Sequence, residues 1–192
     1  MEHNGKLIIF SAPSGSGKTT IVHRLLDRFP QLKFSVSATS RAMRPGEQNG
    51  KDYHFLSVDE FKQYRDQDRF LEWEEVYPNQ FYGTLMSEVE KIWNAGGHVV
   101  FDVDVKGGLN IKRKFPERTL AVFVSPPSLQ ELENRLRKRG TETEESLKKR
   151  VGKADLEMQS APLFDRIIIN DNLEEAVQEA VQAVGEFLEK PL

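Results

Sequence analysis

The apolar run KLIIFS (Lys6–Ser11) gives way at once to a glycine turn, APSGSG at 12–17. That turn leads into KTTIVHRLLDRF, where Ile21, Val22, Leu25, Leu26 and Phe29 recur at helical spacing until Pro30 stops the pattern. A short apolar run bounded by a glycine turn predicts a buried strand, and the periodic stretch predicts a helix from Lys18. A buried strand that turns through glycine into a helix is the building unit of a parallel α/β sheet, and it narrows the possible folds more than any other stretch does.

The rest of the chain repeats the theme. HVVFDVD (His98–Asp104) predicts a second buried strand, TLAVFVS (Thr119–Ser125, closed by Pro126-Pro127) a third, apolar one, and DRIIIND (165–171) a fourth strand. Between and after them LNIKRKF predicts a short helix. SLQELENRLRKRG predicts a helix behind a capping box of Ser128 and Glu131. TEESLKKRVGKADLEMQSA predicts a highly charged helix from about Thr143, and the stretch after Asn172 predicts an amphipathic closing helix. Strands alternating with helices predict a parallel sheet flanked by helices.

Residues 37–91 break this rhythm. The segment FSVSATSRAMRPGEQNGKDYHFLS carries turn signals at Pro45-Gly46 and Asn49-Gly50, and predicts short strands and loops. A capping box of Ser57 and Glu60 predicts a helix over Val58–Asp66, RFLEWEEVYPNQFYGT reads as strand and turn, and SEVEKIWNAG as a helix stopped by Gly96-Gly97. The expected organisation is one domain: a core of about 1–36, 92–128 and 164–192, an inserted mixed α/β lobe at about 37–91, and a helical lid at about 129–163. The lid expectation rests on the few apolar anchors in the charged stretch 135–158.

The glycine turn predicts chemistry as well as shape. G-x-x-x-x-G-K-[ST] after a strand and before a helix is a phosphate-binding loop. Gly15 and Gly17 let backbone N–H groups point inward, and the helix N-terminus adds a positive dipole end. Lys18 supplies a full charge for the β- and γ-phosphates, and the Thr19 hydroxyl is placed to ligate Mg²⁺. The expected ATP cradle is Ala12, Pro13, Ser14, Gly15, Ser16, Gly17, Lys18, Thr19 and Thr20. Ala12 stands where the pattern has its first glycine, and alanine suffices if the backbone there keeps φ negative. Asp102 and Asp104 end a buried strand, where open α/β sheets bind their ligands, and an acid there can hold Mg²⁺ through water.

Composition excludes other chemistries. With no cysteine, thiolate nucleophiles, disulfides and Cys-based zinc sites are ruled out. The four histidines, His3, His23, His54 and His98, show no metal-ligand spacing. A net charge of −3 argues against a nucleic-acid partner. The opening MEHNGK has no signal-peptide core, the closing EFLEKPL has no prenylation signal, and no apolar run approaches membrane-spanning length, so a cytoplasmic protein is expected.

The inserted lobe points to what receives the phosphate. Arg41, Arg44, Tyr53 and Tyr82 offer two guanidinium groups and two hydroxyls, the makings of an anion clamp. Tyr77 competes with Tyr82 for the second hydroxyl. Glu72 offers two acceptors side by side, which match the adjacent N1–H and N2 amine of guanine and clash with the N1 lone pair of adenine.

The motifs SAPSGSGKTT, SRAMRPGEQNGKDYHF, FLEWEEV, FYGT, FDVDVKG, RLRKRGTETEESLKKR and IIIND occur in this order over about residues 8 to 171. Together they resemble guanylate kinase. The resemblance implies transfer of phosphate from ATP with Mg²⁺ to GMP, with dGMP as a further acceptor, on a P-loop core with a monophosphate lobe and a lid. It implies that Arg41, Arg44, Tyr53 and Tyr82 grip the GMP phosphate, that Ser37, Glu72 and Asp104 read guanine, and that Thr84 lies near the base. Arg135, Arg139 and Arg150 would be lid arginines meeting the ATP phosphates, Asn170 would lie near adenine or those arginines, and Asp102 would serve near Mg²⁺ and the phosphates. A monomer or small homo-oligomer is expected. The alternatives are a non-catalytic, peptide-binding relative, and a P-loop kinase for another monophosphate.

Overall fold

A computed structural model describes residues 5–140 and 143–191, apart from the side chain of Arg139. β1 (Leu7–Ser11) leads through the glycine turn into α1 (Lys18–Arg28), and β2 (Leu32–Phe34) follows. The inserted segment forms β3 (Ala38–Thr39), β4 (His54–Phe55), α2 (Val58–Asp66), β5 (Phe70–Tyr77) and β6 (Gln80–Leu85). The chain then returns through α3 (Met86–Asn94), β7 (His98–Asp102), α4 (Val105–Lys114) and β8 (Thr119–Ser125). The last elements are α5 (Leu129–Arg139), α6 (Glu144–Met158), β9 (Arg166–Ile169) and α7 (Leu173–Glu189).

Five strands pair in parallel in the order β2-β7-β1-β8-β9. Every residue of β1 is buried, as a central parallel strand covered on both faces requires. Ile8 and Phe10 pack on one side with Ile21, Leu25, Ala180 and Val184, under α1 and α7. Leu7 and Ile9 pack on the other with Val89, Trp93 and Ile111, under α3 and α4. The inserted lobe is a mixed sheet, β4-β3-β6-β5, over its own core of Ala38, Phe61, Phe70, Phe81 and Leu85. β5 and β6 form a hairpin with Tyr77 opposite Gln80, and Asn79 takes φ 60° at the turn. Asparagine is one of the few residues that adopts this conformation readily. α5 and α6 form a helical hairpin around Leu132, Leu136, Leu147 and Ala154.

Three local expectations are refined. The strand from His98 stops at Asp102, because Asp104 is the N-cap of α4 and accepts from Gly107 N at 2.7 Å. α4 therefore begins four residues before the LNIKRKF stretch. The Ser57–Glu60 capping box is complete in both directions, at 3.1 and 2.7 Å. The box expected at Ser128 is half formed: Ser128 Oγ accepts from Glu131 N at 3.1 Å, while the Glu131 carboxylate turns to Arg135 at 2.9 Å. A guanidinium is the stronger partner for a carboxylate.

Candidate active site

The glycine turn leaves the C-terminal end of β1 and lines a cavity of about 970 Å³ with residues 12–20. Gly15 and Gly17 have φ of 96° and 87°, a region that side chains disfavour. Gly17 is constrained twice over, since a Cβ there would stand 2.2 Å from Asn170 Nδ2. Among the described non-glycine residues only Asp68 and Asn79 take positive φ, so Ala12 keeps φ negative, as alanine in that position requires. Its methyl group packs against the α1 side of the core.

Asp102 closes β7 beside β1, in register with Phe10. Its carboxylate pairs with the Lys18 ammonium and accepts from Thr19 Oγ1 at 3.1 Å. Residues more than eighty positions apart thus form one charged cluster at the mouth of the loop.

The far wall of this cavity comes from α6. Arg150 Nη1 donates to Ser14 Oγ at 2.7 Å, tying α6 to the loop. Arg135 Nη1 donates to the Asn170 carbonyl at 2.9 Å, and the Asn170 amide donates to the Ser16 carbonyl at 2.7 Å. Asn170, 5% exposed, therefore faces the back of the loop and links it to α5. The Arg139 side chain lies outside the described residues. Lys153 and Glu157, an ion pair at 3.4 Å, also line the cavity, and burial pushes the Glu157 carboxyl up.

A second cavity of about 240 Å³ opens between the mixed sheet and the β7–α4 link, lined by Ser37, Tyr53, Glu72, Tyr82, Asp102 and Asp104 among others. Val103, Asp102, Asp104 and Lys153 line both cavities, so the two meet there. Glu72 is only 7% exposed. It sits opposite Thr84 across the β5–β6 ladder and accepts from Thr84 Oγ1 at 2.8 Å. Burial pushes its carboxyl up to about 7; the Thr84 hydrogen bond opposes the rise and the charge of Asp104 adds to it.

Tyr82 and Tyr53 meet edge to face at 6.0 Å, and the Arg41 guanidinium lies 5.0 Å from the centre of the Tyr53 ring. Tyr77 is 64% exposed and faces the larger cavity instead. Arg44 is exposed beside this cluster. Glu47, a functional residue that residue type and spacing do not single out, clamps Arg41 in bidentate fashion at 2.7 and 2.5 Å and accepts from Arg44 N at 2.8 Å. These bonds hold the Glu47 carboxyl down at about 2, the Arg41 bond being the largest cause. Only the position of Glu47 in the Arg44-Pro45-Gly46 turn signals this role: the turn brings its carboxylate back onto Arg41. Lys153 and Glu157 carried no such signal, because their i,i+4 spacing matches the exposed Lys149–Glu145 pair on the same helix.

The buried carboxyl of Glu72 gives the protein without ligands a characteristic pH response. Its folded value lies above the ordinary 4.5, so its contribution to stability is fully present below about 4.5 and is lost as pH rises through about 7. We expect the melting temperature to fall between pH 5 and pH 8, by a difference on the order of 3 kcal/mol. Glu72→Gln should remove that part of the fall, and parallel melting curves for the two proteins would contradict the burial argument.

The sequence matches the family model described as guanylate kinase over residues 4–189. It is 54% identical to a guanylate kinase of Bacteroides fragilis over 183 residues, covering 95% of this chain and 90% of that protein. It is 52% identical to one of Salinibacter ruber over 182 residues, covering 95% and 96%. The fold resembles the crystal structure of guanylate kinase from Anaplasma phagocytophilum with a TM-score of 0.77 and 26% identity, over 99% of this chain and 89% of that one. With the phosphate loop, the second cavity and nearly the whole length accounted for, this chain belongs to the guanylate kinase family.

Proposed function

We infer that this chain transfers the γ-phosphoryl group of ATP to GMP, giving ADP and GDP. The observation that carries the reading is the buried Glu72–Thr84 pair in a cavity that meets the phosphate-loop cavity at Asp102 and Asp104. A carboxylate fixed in this way offers two acceptors to the N1–H and N2 amine of guanine, and an adenine there would leave it unmatched. Ser37 and Asp104 line the same cavity and supply the remaining polar contacts to the base.

The monophosphate then points toward Tyr53, Tyr82, Arg41 and Arg44. Glu47 takes two of the five Arg41 N–H groups and the Ala42 carbonyl a third, at 2.9 Å, while Tyr82 is also hydrogen-bonded to the guanidinium, so Arg41 and the Tyr82 hydroxyl are held together facing the monophosphate. ATP lies along residues 12–20, with Lys18 and the inward N–H groups on its phosphates. A GMP phosphate oxygen attacks the γ-phosphorus in line, and the bond from that phosphorus to the β,γ-bridging oxygen breaks. The nucleophile is already an anion, so the chain needs no general base. Its work is alignment and charge neutralisation by Lys18, Arg41, Arg135, Arg139 and Arg150.

Thr19 and Asp102 are the residues that would hold Mg²⁺, directly and through water. Among the described residues no group of three or more histidines or acids could hold a metal alone. A sparse set of oxygen donors suits Mg²⁺, which keeps waters and takes its other ligands from substrate phosphates. When bound, it neutralises charge on the β- and γ-phosphates.

The α5–α6 hairpin serves as a lid that excludes water, the competing acceptor. dGMP is accepted as well, because the groups gathered here face base and phosphate. Among the described residues no helix is long and apolar enough to cross a membrane.

A coupled assay offering GMP, AMP, UMP and CMP with Mg-ATP tests the reading. GMP should be preferred over each of the others by about 10²-fold or more in kcat/KM. A preference for AMP would overturn the role of Glu72.

A further inference from the structure

The first turn of α4 touches Glu72 and Asp104, two of the acids that line the second cavity. Gly107 N donates to Asp104 Oδ1 at 2.7 Å. A Cβ built on Gly107 would stand 2.8 Å from Glu72 Oε2, 3.1 Å from Asp104 Oδ1 and 3.4 Å from Glu72 Cδ. The first of these is well inside van der Waals contact. α4 is tied to β5 on both sides of Glu72, since Lys114 Nζ donates to the Leu71 carbonyl at 2.5 Å and Lys106 Nζ to Glu74 Oε1 at 2.6 Å. The helix cannot simply drift away from the carboxylate.

The neighbouring glycine answers a different demand. A Cβ on Gly108 would meet Ser11 Oγ at 2.8 Å and Ile9 Cγ2 at 2.9 Å, on the β1 strand beneath α4. Gly108 lets the helix settle on the sheet. At Gly107 the obstructing atom is the far end of a flexible side chain in a cavity, held by one hydrogen bond from Thr84 Oγ1, so that end can swing aside without moving the backbone. Gly107 is also helical with negative φ, where alanine is the better residue. A methyl group there would leave packing intact and move the acid.

We propose that Gly107 is a positioning residue of the acceptor site. Its N–H holds Asp104, and its missing side chain leaves the Glu72 carboxylate the space from which it meets guanine. The inference rests on the guanine-reading role proposed above for Glu72.

Gly107→Ala, Glu72→Asp and the double variant test it, by steady-state kinetics with GMP and Mg-ATP and by thermal melting. Gly107→Ala should raise the KM for GMP about tenfold or more, since a misplaced contact of this kind is costly. The KM for ATP should stay within about twofold, because the effect is confined to acceptor binding. The melting temperature should be unchanged or higher. Aspartate is one methylene shorter and withdraws the oxygen from the path of the methyl group. In that background Gly107→Ala should therefore change the KM for GMP by less than about twofold, the non-additivity expected of groups in contact.

An unchanged KM for GMP in the single variant, a melting temperature lower by several degrees, or the same tenfold penalty in both backgrounds would each overturn the proposal. An unaltered KM for GMP in Glu72→Asp alone would show instead that Glu72 does not read guanine, and the proposal would fall with that reading.

Discussion

Lys18→Ala should lower kcat about 10²–10³-fold, the loss that follows removal of one preorganised charge from a reacting centre. The ammonium stands at the start of α1 and pairs with Asp102, so it is already held where the phosphates of ATP would lie. Placing it costs the reaction nothing at the moment charge moves onto the bridging oxygen. The KM for GMP should change by less than about threefold, because Lys18 lines the larger cavity and not the smaller one. Asp102 loses its ammonium partner in this variant but keeps the Thr19 hydroxyl, so the fold should persist. A parallel melting curve would establish that the loss is chemical. A variant with unchanged kcat would remove the phosphate-loop argument.

Glu72→Gln should lower kcat/KM for GMP about a thousandfold, because the amide turns one of its two acceptors into a donor aimed at a guanine donor. The pH dependence should change with it. On the proposed role of Glu72, guanine is met by the carboxylate, and burial pushes that carboxyl up to about 7. At pH 6 about one molecule in ten carries the charge, so the KM for GMP should fall about tenfold between pH 6 and pH 8. The GMP phosphate has its own second ionisation near pH 6 and contributes in both proteins. The difference between the wild-type and Glu72→Gln profiles therefore isolates the side chain. Superimposable profiles would mean that Glu72 is not the group that meets the base.

The parts of this molecule that were legible in the sequence are those where one local signal suffices. The apolar run before Gly15 and Gly17 marked β1, the loop and α1, and the Ser57–Glu60 box placed α2 to the residue. The start of α4 was hidden because Gly107 and Gly108 lower helix propensity where the helix begins. Those glycines answer contacts with Glu72, Ser11 and Ile9, which lie on other strands and leave no mark in the local pattern.

The acids show the same division. That Asp102 and Asp104 end a strand was readable; that Asp102 gathers Lys18 and Thr19 while Asp104 caps a helix is a matter of tertiary placement. Arg41 stood out by residue type, whereas Glu47, which fixes it, looked like any exposed turn acid. Asn170 was expected near adenine or the arginines of the hairpin. Its carbonyl meets Arg135 and its amide is spent on the back of the loop, a contact possible only because Gly17 lacks a side chain.

Phosphate should pass from one cavity to the other across the Asp102–Asp104 link, with GMP as the acceptor and water excluded. ATP radiolabelled at the γ-phosphate, incubated with the protein, Mg²⁺ and GMP, tests this most directly. The label should appear in the β-phosphate of GDP, mole for mole with ADP formed, with little released as orthophosphate. Label recovered as orthophosphate at the same rate with and without GMP would contradict it.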